Sequence, residues 1–137
     1  MYKISKSFTF DAAHQLKIAT LDADANIKRF GKCHNPHGHT YTLTVYIRGN
    51  ALNDDGMLIN FEKISQAVKP LLDRIDHSFL NFEFPLKTEG TQKKHFLTTT
   101  EKMAKEIYYY LKAILPSLHK IRLSETPKTY AEFNGSE

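Results

Sequence analysis

The stretch HGHTYTLTVYIRG, residues 37–49, alternates apolar and polar side chains over its whole length. A period of two residues predicts a β-strand with one face toward the core and the other toward solvent. The apolar face comprises His37, His39, Tyr41, Leu43, Val45 and Ile47, and the polar face comprises Thr40, Thr42, Thr44, Tyr46 and Arg48. Two histidines therefore begin the apolar face of this strand.

The N-terminal stretch YKISKSFTFDAAH, residues 2–14, has the same period. Its even positions are Tyr2, Ile4, Phe8, Phe10, Ala12 and His14, with Lys6 as the polar exception. If the strand stays extended to its end, His14 faces the core. The next segment, residues 17–32, is polar and aperiodic and predicts a long loop, a feature that is often functional in compact domains.

Two segments show helical spacing. The first is residues 61–75, where Asn60 is a plausible N-cap and Pro70 leaves open either a kinked helix or two short helices. The second is residues 98–115, which open with a capping-box pattern from Thr98 to Glu101 and end before Pro116. Both segments present an apolar stripe that can pack on a sheet.

Two further strands complete the chain, HKIRLSET at residues 119–126 and TYAEF at residues 129–133. The first alternates so that Glu125 is in phase with Ile121 and Leu123, and it therefore points where its neighbours are apolar. The order ββααββ predicts an α+β fold, with a four-stranded antiparallel sheet and two helices on one face. So small a sheet has two edges to protect, and pairing edges between subunits is one solution.

Composition limits the class of protein. The 137 residues, 41% hydrophobic and 25% charged, fit a single globular domain over residues 1–137. The net charge of +4 favours a solvated surface over a phosphate-bearing ligand or RNA. Cys33 is the only cysteine, so no intramolecular disulfide can form and a cytoplasmic location is expected. No stretch approaches the ~20 apolar residues of a membrane span.

The motif CHNPHGH, residues 33–39, suggests a metal site. Residues i and i+2 of a strand lie about 7 Å apart on one face, so His37 and His39 can converge on one ion, and His14 can supply a third imidazole. Three protein ligands with a vacant position are typical of catalytic zinc. Two alternatives remain: seven histidines in one chain can cluster by chance, and His34 is a rival ligand.

A thiol and a dyad could add catalytic chemistry. Cys33 precedes His37 by four residues, and a thiolate near a bound metal can act as a base or nucleophile. Asp76 could fix the tautomer of the adjacent His77. Taken alone, Cys33 is as well explained as a small loop side chain, and Asp76 with His77 as a polar pair at a helix end.

Five short motifs, taken together and in this order, are specific. They are FDAAH at residues 10–14, C-x3-HGH at 33–39, the DH of IDHSFLN at 75–81, TTE at 99–101 and SET at 124–126. Their set resembles the 6-pyruvoyltetrahydropterin synthase and 6-carboxytetrahydropterin synthase family over nearly the whole chain. The resemblance implies a tunnelling fold (T-fold), a homohexamer built from two trimers, and active sites between subunits.

The resemblance also implies residue roles. It implies that Zn2+ is bound by His14, His37 and His39, that Cys33 is the catalytic acid/base, and that Asp76 and His77 activate a cysteine in a neighbouring subunit. Glu125 matches the pterin anchor, a role with a physical rationale because a carboxylate can accept two parallel N–H donors of the pterin. Thr99 and Thr100 resemble residues flanking the pterin pocket, although helix capping also accounts for them.

The implied substrate is 7,8-dihydroneopterin triphosphate, and two products are possible. The short C-x3-HGH spacing resembles the branch that releases acetaldehyde and triphosphate and forms 6-carboxytetrahydropterin for queuosine synthesis. The stretch FGKCHNP resembles the 6-pyruvoyl branch, which stays the alternative. Lys93 and Lys94 could contact the triphosphate or be ordinary solvated lysines. A noncatalytic zinc-binding module for RNA or a pterin is a third possibility, although no second cysteine is present to close a structural zinc site.

Overall fold

A computed structural model describes residues 1–87 and 95–137 of the chain. The long strands are β1 (Tyr2–His14), β2 (His37–Gly49) and β4 (Leu118–Thr126), and the short strands are β3 (Ser78–Phe79) and β5 (Thr129–Phe133). The helices are α1 (Ala23–Phe30), α2 (Phe61–Ile75), α3 (Leu80–Glu83) and α4 (Thr100–Lys112), with a 3-10 helix at Gly31–His34. Lys93 and Lys94 lie outside the described residues. Among the described residues, no helix combines the length and the apolar character that crossing a bilayer requires.

The five strands form one sheet in the order β3-β1-β2-β4-β5. Strands β1 and β2 pair antiparallel along all 13 of their residues, from Tyr2 opposite Gly49 to His14 opposite His37. This register follows from the alternating pattern of both strands, because a slip by one residue would turn the apolar side chains toward solvent. The pairing therefore brings the histidines of the two strands to the same end of the sheet.

Helices α2 and α4 pack on one face of the sheet, which we call the covered face. Tyr41, Leu43, Val45 and Ile47 of β2 point into this layer and have no exposed surface. They share one hydrophobic core with Ile64, Val68, Leu71 and Ile75 of α2 and with Met103, Ile107 and Leu111 of α4. The opposite face, with exposed Thr40 and Arg48, is called the open face.

The predicted α+β class is confirmed, with three corrections of detail. The sheet has five strands instead of four, because Ser78 and Phe79 pair in parallel with Ala12 and Ala13. Residues 17–32 are not one long loop, because α1 forms there. Asp22 caps the start of α1 by accepting from the Ala25 N–H, and Gly31, at φ 59°, ends it. The one-turn helix α3 was also not predicted, so the described chain has four α-helices where two were expected.

The predicted helix ends are partly corrected. Asn60 caps α2 by accepting from the Glu62 N–H, and α2 continues through Pro70 as one helix, which Pro70 permits from an exposed position. The N-cap of α4 is Thr99, which accepts from the Lys102 N–H, and not Thr98. Thr98 is fully buried and contacts the site described next.

Candidate metal centre and active site

Three histidines converge at the end of the covered face. His14 ends β1, His37 begins β2 directly opposite it, and His39 follows two residues later on the same face. Their ring centroids lie 4.6 to 5.4 Å apart. Glu125, near the end of β4, completes the group, and one ligand atom from each of the four side chains lies within 4.8 Å of the others. Such a set could hold a divalent metal ion.

Backbone carbonyls select the tautomer of two of these rings. His14 Nδ1 lies 2.9 Å from the Thr98 carbonyl oxygen, and His37 Nδ1 lies 2.6 Å from the Asn35 carbonyl oxygen. A carbonyl only accepts, so each Nδ1 is the protonated nitrogen and donates to it. In the neutral form of both rings the Nε2 atoms then carry the lone pairs, as metal-ligating histidines require.

The Nε2 atoms of His14 and His39 have no hydrogen-bond donor among the described residues. Glu125 Oε1 lies 3.1 Å from His14 Nε2 and 3.0 Å from His39 Nε2, yet neither contact has the geometry of a hydrogen bond, and both nitrogens are buried without a partner in the described chain. A carboxylate facing neutral imidazole lone pairs is repulsive unless a cation lies between them. The donor set therefore fits a metal ion.

Charge states at the site agree with a cation site. Burial lowers the pKa of His39, which keeps that ring neutral and able to bind a metal. Thr100 Oγ1 donates to Glu125 Oε2 over 3.4 Å, so the carboxylate is also oriented from α4.

A half-buried clamp around His14 was not predicted from the sequence. Asn81 accepts from the Gln15 N–H at 2.9 Å and donates to the Gln15 carbonyl at 2.8 Å, which fixes the backbone next to His14. Thr98, fully buried, presents its carbonyl to the ring. These groups lie 66 to 84 positions apart in sequence from the residues they contact, so no local pattern could identify them.

Tyr41 forms the inner wall of the site. Its ring stacks on Phe10 at a centroid distance of 5.0 Å and meets His39 edge-on at 5.5 Å. Burial, and then the negative charge of Glu125, raise the pKa of the Tyr41 hydroxyl far above its ordinary value. The hydroxyl stays protonated and has no partner among the described residues. Period-two alternation had predicted its face but not its contact with the histidines.

The predicted dyad lies on the open face near the same end of the sheet. The Asp76 carboxylate is 3.0 Å from His77 Nδ1 and accepts from the Asp11 N–H at 2.9 Å, while the His77 N–H donates to the Asp11 carbonyl at 2.6 Å. The bond from the Asp11 N–H is the largest influence that lowers the pKa of Asp76. His77 has φ 60°, a strained left-handed conformation, and its side chain is 78% exposed.

The structure does not bring Cys33 to either group of the described chain. The thiol lies in the 3-10 helix Gly31–His34 and is exposed. The Cys33 carbonyl accepts from the Leu16 N–H, which anchors this segment beside the end of β1. His34 is not part of the metal group either, and its Nδ1 donates to the Leu16 carbonyl at 3.1 Å. An open cavity of about 510 Å³ lies beside His77 and is lined by Ala13 of β1 and Gly38 of β2 among others.

Comparisons with known proteins cover almost the whole chain. The sequence model described as 6-pyruvoyl tetrahydropterin synthase matches residues 3–136. A 6-carboxy-5,6,7,8-tetrahydropterin synthase of Haemophilus influenzae is 35% identical over 152 residues, covering 97% of this chain and 99% of that protein. A 6-pyruvoyl tetrahydrobiopterin synthase of Dictyostelium discoideum is 30% identical over 134 residues, covering 96% and 95%. The structure of Caenorhabditis elegans 6-pyruvoyl tetrahydropterin synthase superposes with a TM-score of 0.85 at 29% identity, covering 98% and 96%.

Proposed function

Given that the chain belongs to the 6-pyruvoyl tetrahydropterin synthase family, we propose that it is a zinc-dependent 6-carboxy-5,6,7,8-tetrahydropterin synthase. In this proposal it converts 7,8-dihydroneopterin triphosphate and one water molecule to 6-carboxytetrahydropterin, acetaldehyde and triphosphate. The observation that supports zinc dependence is the pair of buried Nε2 atoms, on His14 and His39, that face a carboxylate without a hydrogen-bond partner. Relatives named for the 6-carboxy product are 35% and 31% identical to the chain.

Each part of the site has a role in the proposal. His14, His37 and His39 bind Zn2+, which as a Lewis acid would lower the pKa of protons next to the oxygen atoms that it contacts. Cys33 moves a proton on the side chain of the substrate, and His77, oriented by Asp76, moves a second proton. The side chains of Thr99 and Thr100 flank the pterin ring.

The proposed assembly brings these groups together. Within the described chain Cys33 belongs to neither the metal group nor the Asp76 and His77 group, which supports a site completed by a second subunit. Strand β1 offers an edge on which β3 covers only Ala12 and Ala13, and β5 is the other edge of the sheet. Pairing of these edges between subunits would form the proposed homohexamer of two trimers, with sites between subunits. We also propose that the protein is cytoplasmic, and no nucleic-acid partner is needed.

The product is tested directly. Purified, zinc-loaded protein is incubated with 7,8-dihydroneopterin triphosphate, and the products are identified by mass spectrometry. We expect equal amounts of acetaldehyde and 6-carboxytetrahydropterin. A 6-pyruvoyl product without acetaldehyde would support the second candidate, which relatives of that name from Dictyostelium discoideum and Homo sapiens favour at 30% and 29% identity. Unchanged substrate would contradict both.

Glu125 has two possible chemical roles, and one substitution separates them. As the pterin anchor it accepts two N–H donors of the ring, so Glu125→Gln should raise KM by roughly ten- to a hundredfold, because a charge-assisted acceptor is lost. The zinc content should not change. Steady-state kinetics measure KM, and metal analysis measures the zinc content. Glu62→Gln, at an exposed position of α2, is the charge-matched control. Loss of zinc at an unchanged KM would instead make Glu125 a metal ligand.

A further inference from the structure

A corner of the open face collects positive charge from three strands. Lys3 of β1 lies directly opposite Arg48 of β2, and Lys120 of β4 lies opposite Tyr46, the residue two before Arg48. His119 precedes Lys120. We call Lys3, Arg48, His119 and Lys120 the basic corner. It lies at the opposite end of β1 from His14, about 36 Å away along an extended strand of ~3.3 Å per residue.

A β-bulge adds the fourth group to this corner. The ladder between β2 and β4 runs from Tyr46 opposite Lys120 directly to Ile47 opposite Leu118, which leaves His119 as an extra residue. Leu118 and Ile121 are both buried in the core, so the two residues between them share the other side of the strand. Bulges commonly redirect a side chain next to a functional site. Here the bulge places a histidine and a lysine side by side.

The charges of the basic corner are poorly compensated. Like charges directly opposite each other on neighbouring strands are destabilising. In residues 1–87 and 95–137, Lys3 and Arg48 form no salt bridge. Lys120 contacts Glu132 at 2.5 Å, but Glu132 also pairs with Arg122 at 2.9 Å, so one carboxylate serves two cations.

His119 lies within this group of positive charges. Its pKa is lowered first by burial and then by Arg48, Lys120 and Lys3, and only Glu132 acts in the opposite direction among the main influences. Two cavities meet at this ring. One of about 220 Å³ is lined by Lys3, Ser5, Tyr46, His119 and Lys120 together with Ile4 and Ile47, and one of about 280 Å³ is lined by Arg48, Ser117 and His119 among others. Cations, hydroxyls and an imidazole N–H thus line part of this open space, and apolar residues line the rest.

We propose that the basic corner binds a phosphate-class oxyanion, either free phosphate or the phosphate group of a monoester. Such an anion offers several acceptor oxygens and two negative charges, which match donors that come from separate strands. Binding would offset the repulsion between Lys3 and Arg48, for which the described chain provides no acidic partner. The site is separate from the metal centre and does not depend on the reaction proposed above.

The test combines calorimetry with thermal unfolding of the zinc-loaded protein at constant ionic strength, with chloride replacing phosphate. We expect saturable binding of orthophosphate and of glycerol 3-phosphate to wild type. Arg48→Gln should weaken this binding by roughly tenfold, because one charge-assisted hydrogen-bonding group is lost. In chloride alone the same variant should melt at or above the wild-type temperature, since the repulsion from Lys3 is relieved.

The controls make the result specific. Lys28→Gln removes one positive charge from an exposed position of α1, away from the basic corner. This variant should bind phosphate as wild type does. Lys3→Gln is the second corner variant and should repeat the behaviour of Arg48→Gln. Equal affinity for both ligands would show that the phosphate group alone is recognised, and tighter binding of the monoester would show that the corner also contacts its organic part. Wild-type affinity in both corner variants, or no saturable binding to wild type, would overturn the proposal.

Discussion

Cys33→Ala is expected to abolish turnover of dihydroneopterin triphosphate while the bound zinc stays unchanged. In the proposed mechanism the thiol moves a proton in the reaction, and loss of a general acid/base typically costs 10²- to 10⁴-fold in rate. Because Cys33 is exposed and lies outside the metal group, its removal should leave the metal centre intact. Turnover is measured by product mass, and zinc by metal analysis of the same sample. Cys33→Ser is the near-isosteric companion, with a far less acidic proton.

A mixing experiment tests whether Cys33 and His77 act across a subunit boundary. Chains with Cys33→Ala and chains with His77→Ala are each expected to be inactive. If the two are co-expressed, some sites contain the intact cysteine of one chain and the intact histidine of the other, so part of the activity should return. A protein that is fully active as Cys33→Ala would contradict the role of the thiol. A protein that never turns over, even as wild type, would favour a noncatalytic binding module.

His37→Ala should weaken zinc binding by at least about a hundredfold, and His14→Ala should do the same. Even residues that only orient a metal ligand typically cost 10- to 100-fold in affinity when they are replaced, and these two imidazoles are proposed to bind the ion directly. His14 is 1% exposed and lies directly opposite His37, so an alanine at either position leaves the ion with only two of its three proposed imidazole ligands. Competition with a chromophoric chelator measures the dissociation constant.

His34→Gln is the matched control for the metal site. His34 lies in the same seven-residue motif, but its ring donates to the Leu16 carbonyl and is not part of the metal group. We expect the affinity of this variant for zinc to equal that of wild type. If His34→Gln loses zinc and His37→Ala retains it, the rival ligand is the correct one.

The long elements of the fold were predictable because their patterns are local. Strand β2 shows its period of two over 13 residues, and the Asn60 cap lies next to the helix it begins. Helix α1 was missed because its stability depends on the buried Asn26, whose side chain bonds to Ile18, Leu21 and Asp22, a pattern that reads as polar and aperiodic. Strand β3 is two residues long and exists only because β1 is beside it.

The candidate site also has features that a local pattern predicts and features that depend on distant residues. The common face of His37 and His39 follows from strand geometry alone, and the place of His14 follows once the first two strands pair. The partners that select the His14 tautomer, Thr98 and the Asn81 clamp, come from distant parts of the chain. In the proposed assembly Cys33 acts across a subunit boundary, which neither the sequence pattern nor one chain determines. The assignment of ligand and catalytic roles stays a prediction that the experiments above address.

The 13-residue ladder of β1 and β2 has a consequence for how the protein reaches its native state. A slip by one residue would turn His37 and His39 to the opposite side of the sheet from His14, so a misaligned hairpin could not chelate an ion. An ion that binds only correctly aligned strands stabilises them by mass action and leaves the slipped forms unaided. A metal ion present during synthesis would then favour the correct register of β1 and β2 over the slipped ones.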